Sequence, residues 1–582
     1  MSRVTRGSKS RREKAGDSAF SPSFDERPDR MIPILLFIVT FVMCCFPLRD
    51  LDFWWHLRTG ELILERGMVP FKDCFTYMDS SQPWIDMHWG FQILIVFIHR
   101  TFGVNGVIIG KALLYTAAVF IGWKATGSRL SVTRRAVIWF PAIVAITGRA
   151  NERPEMMTML FLATALYLAE RPSLICRRRW LWPLLCLCWV NFHALYILGI
   201  VVWAAVVFEL CCRQAASRYA TITSQTESYP GLTLRTAAWI SVLMLACLLL
   251  NPYTIEGLKF PFVLYQKFSV EKDFYSVRIG EFRPPLMFLS SLVQRYGLVP
   301  GIIAACINLY FTAEVVLFVI GCVTFVRAIR NRTLRIYRLV LFVGFSHLAW
   351  VATRNTGVFA IVAAVMACGN EEEILRKAVV SVAGSRMSSV FRRRLVAIGL
   401  VLQCIFFVSG EWGLLVEKWK VFGFGEATHW FGHEAMKFCA RDGMPRRAFI
   451  THIGLAGTYI YHNGPDRKVF MDPRLEVCSR KTFEKFDLVQ AGVFGGRPGW
   501  EKIINPDEGE MPVVILDATS IRQSAPLISA NTGLPPINGD RSEPFWRLVY
   551  ADSTAAVFLT VPQADAPGFR EVSPSLLFEA TQ

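Results

Sequence analysis

Two aspartates, Asp50 and Asp52, stand in the stretch RDLDFWWHLRTGELILERG, directly after eighteen residues, 31 to 48, that carry no charge. A carboxylate in such a place can accept a proton from a hydroxyl or help to hold a cation. Polar side chains recur at the ends of later apolar runs: Arg149, Arg153 and Glu155 in GRANERPE, Asn191 and His193 in WVNFH, Asn251 in LNPY, Arg354 and Asn355 in TRN. An ionisable group at membrane depth costs about 2.5 to 3.5 kcal/mol on insertion scales, so a set of them implies a hydrated site between helices. Taken singly, each also reads as a solvated loop residue, a helix cap or a satisfied interhelical contact. Their recurrence on five successive ends is what sets them apart.

The elements that must position these residues are apolar. The chain has 582 residues, 53% hydrophobic and 19% charged, with 44 Phe and 17 Trp, the composition of a polytopic membrane protein. Its formal charge of +17 lies in short clusters between apolar runs, which fits positive-inside topology and argues against a nucleic-acid partner. Most of the 15 Cys lie inside apolar runs and none forms a CxxC pair, so they read as small buried hydrophobes.

Apolar runs occur near 31 to 48, 104 to 123, 136 to 148, 156 to 170, 180 to 193, 195 to 212, 236 to 252, 300 to 326, 339 to 353, 356 to 369 and 396 to 410. They predict a mainly α, polytopic membrane protein of about eleven transmembrane helices. Residues 1–30 read as a disordered, basic cytoplasmic tail before a retained first span. Lys and Arg follow the second, fourth, sixth, eighth and tenth runs, as in RRRW at 177 to 180, which puts those segments in the cytoplasm. The short run HWGFQILIVFIHR, 88 to 100, is laid in the interface as an amphipathic helix, because counting it as a span would put the basic loop 124 to 135 outside. Every polar end named above then falls on the outer face.

Residues 31–424 thus form the multi-span domain, with 49–103 as the first extracytoplasmic loop. Beyond 425 charges, Gly and Pro return, and RRAFITH, RKVFMD, MPVVILDA and WRLVYAD read as strands, with helices expected at 429 to 441, 479 to 490 and 519 to 530. Residues 425–582 are expected to be an extracytoplasmic α/β domain. His429 and His433 have i, i+4 spacing, but with no third ligand in view helix packing is the better reading.

Asp52 precedes a helical pattern that Gly67 is placed to end, so it is first a candidate N-cap; a cap and a catalyst can be the same residue. The order of features, an acid pair, an interfacial helix, the loop segments DCFTY and QPWIDMHW, a second interfacial helix and then a span, resembles the GT-C superfamily of membrane glycosyltransferases. The resemblance covers roughly residues 31 to 410. It is nearest to a bacterial multi-span group with a DLWWHLxTG-type opening, here DLDFWWHLRTG, and more distant to the protein mannosyltransferase and aminoarabinose transferase families. Those two families typically show Asp-Glu where this chain has Asp-Leu-Asp.

The resemblance implies transfer of a hexosyl or pentosyl sugar from a polyprenyl-phosphate donor to an extracytoplasmic acceptor of the cell envelope, whether glycan, lipid or protein. Asp52, then Asp50, are implied as catalytic. Arg149, Arg153 and Arg354 are nominated to bind the donor phosphate, since the planar guanidinium gives two parallel hydrogen bonds. Glu155, Asn191, His193, Asp86 and His88 are candidates to touch substrate. His193 can equally be a core histidine satisfied by a neighbour. A divalent metal at Asp50 and Asp52 is compatible with the motif. The rival reading is a non-catalytic transporter or assembly protein for envelope polysaccharide; the absence of an internal repeat weighs against a transporter.

Overall fold

The computed structural model describes residues 30–79, 82–127, 129–219, 232–377, 386–518, 545–566, 568–570 and 572. The tail up to residue 29 and the helix expected at 519 to 530 lie outside the described residues.

Most apolar runs fold as helices close to the expected bounds, among them Met31–Cys44, Val132–Thr147, Glu155–Ala169, Leu181–Val190, Ile336–Val351 and Thr356–Lys377. Three helices among the described residues are long and apolar enough to cross a membrane: Trp89–Ala125, Ala194–Ala215 and Leu309–Arg330. Leu234–Leu249 and Thr254–Val270 pass the same test as a pair bent by 97°. Met31–Cys44, Glu155–Ala169, Leu181–Val190, Leu298–Ile307 and Ile336–Val351 are apolar but only 10–17 residues long. At 1.5 Å per residue, ten residues reach about 15 Å, half of a hydrocarbon core about 30 Å thick. The described residues are therefore mainly helical with a few candidate spans, and do not by themselves show the eleven expected.

Two differences have local causes. The run 300 to 326 is two helices, Leu298–Ile307 and Leu309–Arg330, because the Asn308 side chain accepts a hydrogen bond from Phe311 N at 3.1 Å and starts a new helix. The segment after His88 runs on into the next span as Trp89–Ala125, broken only at Gly103, whose φ of 64° a glycine adopts without Cβ strain.

At the centre lies Thr356–Lys377, buried on every side from Thr356 to Glu371, as befits a helix apolar all round. The basic segments gather at one end of the helices. Glu372 accepts from the backbone of Arg129 and Leu130, Arg338 pairs with Glu170 at 2.6 Å, and Glu209 accepts from Tyr337 N at 2.9 Å. Val132–Thr147, Glu155–Ala169 and Ile336–Val351 lead from that end to the opposite one, where the polar motifs lie.

The C-terminal part contains a five-stranded sheet, β1 (Arg447–Ile450), β2 (Lys468–Val469), β3 (Val513–Asp517), β4 (Trp546–Ala551) and β5 (Ala555–Thr560), in the order β2-β1-β3-β5-β4. β1 runs parallel to β2 and β3, and β5 antiparallel to β3 and β4. The four expected strands are present; β5 was not expected. The helix expected at 429 to 441 is only His433–Cys439, because His429 and Gly432 both take left-handed φ, 53° and 62°. His429 and His433 consequently share no helix; His433 instead meets His462 at 2.8 Å and Glu426 at 3.0 Å.

The sheet is locked onto the first loop. Arg474, fully buried, donates to Asp73 at 2.5 Å and to Asp472 at 2.5 and 2.9 Å, with its guanidinium 4.3 Å over the Trp84 ring. Asp73 also accepts from Phe75 N and Thr76 N, so one carboxylate shapes the loop and receives the domain. Burial alone would raise the Asp73 pKa, but Arg474 beside it holds the carboxyl below its usual value.

Candidate active site

Residues 49–52 are positioned by a short pairing of Leu48 with the segment around Glu426. Leu48 N donates to Gly425 O and Ala427 N to Leu48 O, both at 2.8 Å, so the strand-like Leu48 leaves its successors facing the helix ends. Asp50 is 8% exposed, and its Oδ1 accepts from Asp52 N at 2.9 Å. Asp52 occupies the N-cap position of helix Phe53–Arg66, which ends at Gly67 in the left-handed conformation. Its carboxylate makes no capping bond. It turns to Arg153.

Arg153 joins both acids, with Nε 2.5 Å from Asp50 and Nη2 3.0 Å from Asp52. Its third nitrogen lies 3.4 Å from Glu281, in the turn Gly280–Phe282. Glu281 also meets Arg149 at 2.7 Å and Arg354 at 3.7 Å, and Arg354 reaches Glu155 at 3.6 Å. Asp50, Asp52, Arg149, Arg153, Glu155 and Arg354, from three separate segments of the sequence, therefore form one charge network through Glu281. The turn itself is pinned to TRN: Thr353 N donates to Arg283 O and Thr353 Oγ1 to Glu281 O.

Glu281 was not anticipated. It lies between two helices, Lys272–Arg278 and Pro285–Tyr296, where no motif points to it, and only the convergence of three arginines identifies it. Burial acts to raise its carboxyl, yet Arg354, Arg153 and Arg149 together hold it well below the usual range. Asp52 goes the other way. Burial outweighs the lowering pull of Arg153 and pushes its pKa up to about 7.

A second cluster adjoins through helix Phe53–Arg66. Asp86, fully buried, accepts from His88 N at 3.1 Å and Gln92 Nε2 at 3.2 Å, and lies 3.4 Å from His88 Nδ1. Burial disfavours the charged form of His88, but the bond to Asp86 more than offsets it and the pKa is raised. His193 stands with its ring 5.3 Å from that of His88, while its Nδ1 is 2.6 Å from Thr158 Oγ1, the neighbour that satisfies a core histidine. Asn191 has its amide engaged, accepting from Trp89 Nε1 and donating to Leu187 O and Leu250 O. Asn251 ties the corner between the bent helices through Leu248, Tyr253 and Thr254, and Asn355 donates to Leu348 O. These three asparagines hold backbone.

Arg153 fills the space between Asp50 and Asp52, and among the described residues no three His, Cys, Asp or Glu side chains are grouped to hold a metal ion.

No protein-family model matches the chain, and no curated protein gives a significant sequence match. Solved structures do. The crystal structure of the Archaeoglobus fulgidus oligosaccharyltransferase in the apo form superposes with a TM-score of 0.53 at 12% identity, covering 92% of this chain and 75% of that one. The same enzyme with Zn and sulfate gives 0.52 at 12%, covering 91% and 73%, and with a tethered acceptor peptide containing the NVT sequon 0.51 at 12%, covering 91% and 74%. At that identity the likeness shows architecture and nothing finer: the chain shares the fold of that oligosaccharyltransferase.

Proposed function

We propose that this protein is a membrane glycosyltransferase that moves a sugar from a polyprenyl-phosphate carrier to an acceptor on the outer face of the cell membrane. The observation that carries the reading is the Asp52 carboxylate, part-exposed, raised to about 7 and set beside a cluster of guanidinium groups. A lipid-phosphate sugar brings its own leaving group. What it needs is a base for the acceptor hydroxyl and cations for the departing phosphate.

In this reading Asp52 takes the acceptor proton, and Arg153 fixes it through the shared pairing with Asp50. Arg149, Arg153 and Arg354 meet the phosphate as Glu281 gives way, since a phosphate offers the same forked acceptor geometry as a carboxylate. Asp86, His88 and Glu155 border the acceptor side. The basic helix ends face the cytoplasm, residues 425–582 lie outside, and the short apolar helices complete the bundle in the bilayer.

Mass spectrometry of the protein purified in mild detergent tests the donor. A co-purifying polyprenyl phosphate or its glycoside is expected. Only bulk phospholipid, at a stoichiometry unchanged in an Asp52→Asn preparation incubated with membrane extract, overturns the donor class.

A further inference from the structure

Arg49 differs from every other arginine of the site. Arg149, Arg153 and Arg354 already have Glu281 as a partner. The Arg49 guanidinium is instead clasped by aromatic rings, its carbon 3.9 Å from the Trp430 centroid and 5.0 Å from that of Trp419. Trp430 is fixed in turn by donating from Nε1 to the Arg49 carbonyl at 2.8 Å. Among the described residues the Arg49 guanidinium makes no hydrogen bond or ion pair; Glu417 is the acid whose charge reaches it. Ring faces hold a guanidinium by its plane and leave the N–H edge free, so the fork is oriented before any anion arrives.

Arg49 borders a cavity of about 280 Å³, which Asp50, Asn151, Glu152 and Arg153 also line. Its two acids are already neutralised, Asp50 by Arg153 and Glu152 by Lys111 at 2.6 Å, so they do not repel an incoming anion. Asn151 and Trp419 also line a second cavity of about 580 Å³, walled by apolar groups such as Pro284, Met287, Phe288 and Phe311. A small chamber with the Arg49 guanidinium thus adjoins a larger one that offers an apolar wall beside the charged Arg149, Arg283, Glu314, Glu417 and Lys420. A phosphate on a hydrocarbon chain has the same two parts.

We propose that Arg49 is the first phosphate ligand of the lipid-linked substrate, holding the phosphate in the 280 Å³ chamber while the chain enters the 580 Å³ cavity. This rests on the donor class proposed above but assigns the phosphate to a residue outside the Glu281 network. Arg149 and Arg354 then act after binding, when Glu281 is displaced.

Calorimetry on the full chain in detergent tests this, with farnesyl phosphate, farnesol and inorganic phosphate as probes. Farnesyl phosphate is expected to bind more tightly than farnesol, and Arg49→Gln to weaken it roughly 10- to 100-fold, the scale of a lost charged hydrogen bond. Arg49→Lys keeps the charge and the contact with the rings but not the fork, and should fall between; it also serves if Arg49→Gln fails to fold. Arg149→Ala and Arg354→Ala are the comparison: because both meet the phosphate only once Glu281 is displaced, each should weaken farnesyl phosphate less than Arg49→Gln does. Loss confined to the alanine variants, with Arg49→Gln binding normally, overturns the Arg49 assignment and leaves the donor class standing. Equal binding of farnesyl phosphate and farnesol overturns both. Inorganic phosphate binding as tightly as farnesyl phosphate, and lost in Arg49→Gln, keeps Arg49 as the anion ligand and overturns the lipid source.

Discussion

Arg153 and Asp52 stand 3.0 Å apart in an unequal partnership, because the same guanidinium holds Asp50 at 2.5 Å. Asp50 is 2% exposed in its side chain and spends both oxygens on Arg153 and the Asp52 backbone, while Asp52 keeps 18% exposure. Of the two acids, Asp52 is the one open to solvent. Asp50 positions Arg153.

Asp52→Asn is the first variant to make. The native carboxylate makes no capping bond, and Asn suits the N-cap position, so the melting temperature should stay near wild type. Transfer activity should fall about 100- to 10,000-fold, the usual contribution of a general base. Full activity in the variant would move the base elsewhere, to Glu155 or Asp86. Asp50→Asn should instead lower both stability and activity by loosening Arg153.

The pH profile follows from the raised Asp52 carboxyl. With a folded value of about 7, the base form is lost as pH falls, so kcat/KM should drop about tenfold per unit below pH 6 and level off above pH 8. The same shift has a sign in stability. The folded carboxyl binds its proton more tightly than the unfolded one, so its contribution is full below about pH 4 and is lost as pH rises through 7. The melting-temperature difference between wild type and Asp52→Asn should follow that direction.

Glu281→Gln removes the one charge on which three arginines converge. Loss of the carboxylate should destabilise the protein by about 1 to 3 kcal/mol through uncompensated guanidinium groups. Sulfate should restore much of this, and should raise the melting temperature more in the variant than in wild type. An equal sulfate effect in both would mean that Glu281 does not occupy an anion position.

Arg474→Ala leaves Asp73 and Asp472 buried without their cation, a change that typically costs about 3 to 5 kcal/mol. Protease resistance of the C-terminal sheet in intact protein is the readout, and it should fall sharply. Arg474→Met with Asp73→Asn and Asp472→Asn removes all three charges and should recover part of the loss.

Reporters check the orientation. A fusion after Gln582 should be active only with an extracytoplasmic reporter, as the Lys and Arg distribution requires. Activity of a cytoplasmic reporter there would invert the whole arrangement.

The sequence was most informative where one residue type has few uses. Charged groups at helix ends marked Asp50, Asp52, Arg149, Arg153 and Arg354, and the fold brings all five into one network. Glu281 stayed hidden because its partners are 72 to 132 residues away in sequence, and an isolated loop glutamate has no spacing to read. Arg49 lay inside the quoted opening but reads as flanking charge until Trp419 and Trp430 close on it. Arg474 shows nothing of its role in the sequence, since Asp73 lies 401 positions away. The strand β5 was missed because AAVFLT is apolar up to its last residue, and both faces of it are buried, so no alternation announces it. The helix break at Asn308 was lost within a longer apolar run.

The bond between Arg474 and Asp73 also sets a timetable for synthesis. Asp73 leaves the ribosome 401 residues before the arginine that neutralises it. At 5 to 20 residues per second the first loop waits roughly 20 to 80 s for that partner. For that interval the loop that carries Asp52 has no roof, and the nascent chain holds helices without a finished site. A message truncated before codon 474 would leave Asp73 without that partner, so the first loop reaches its final form only once most of the polypeptide has been made.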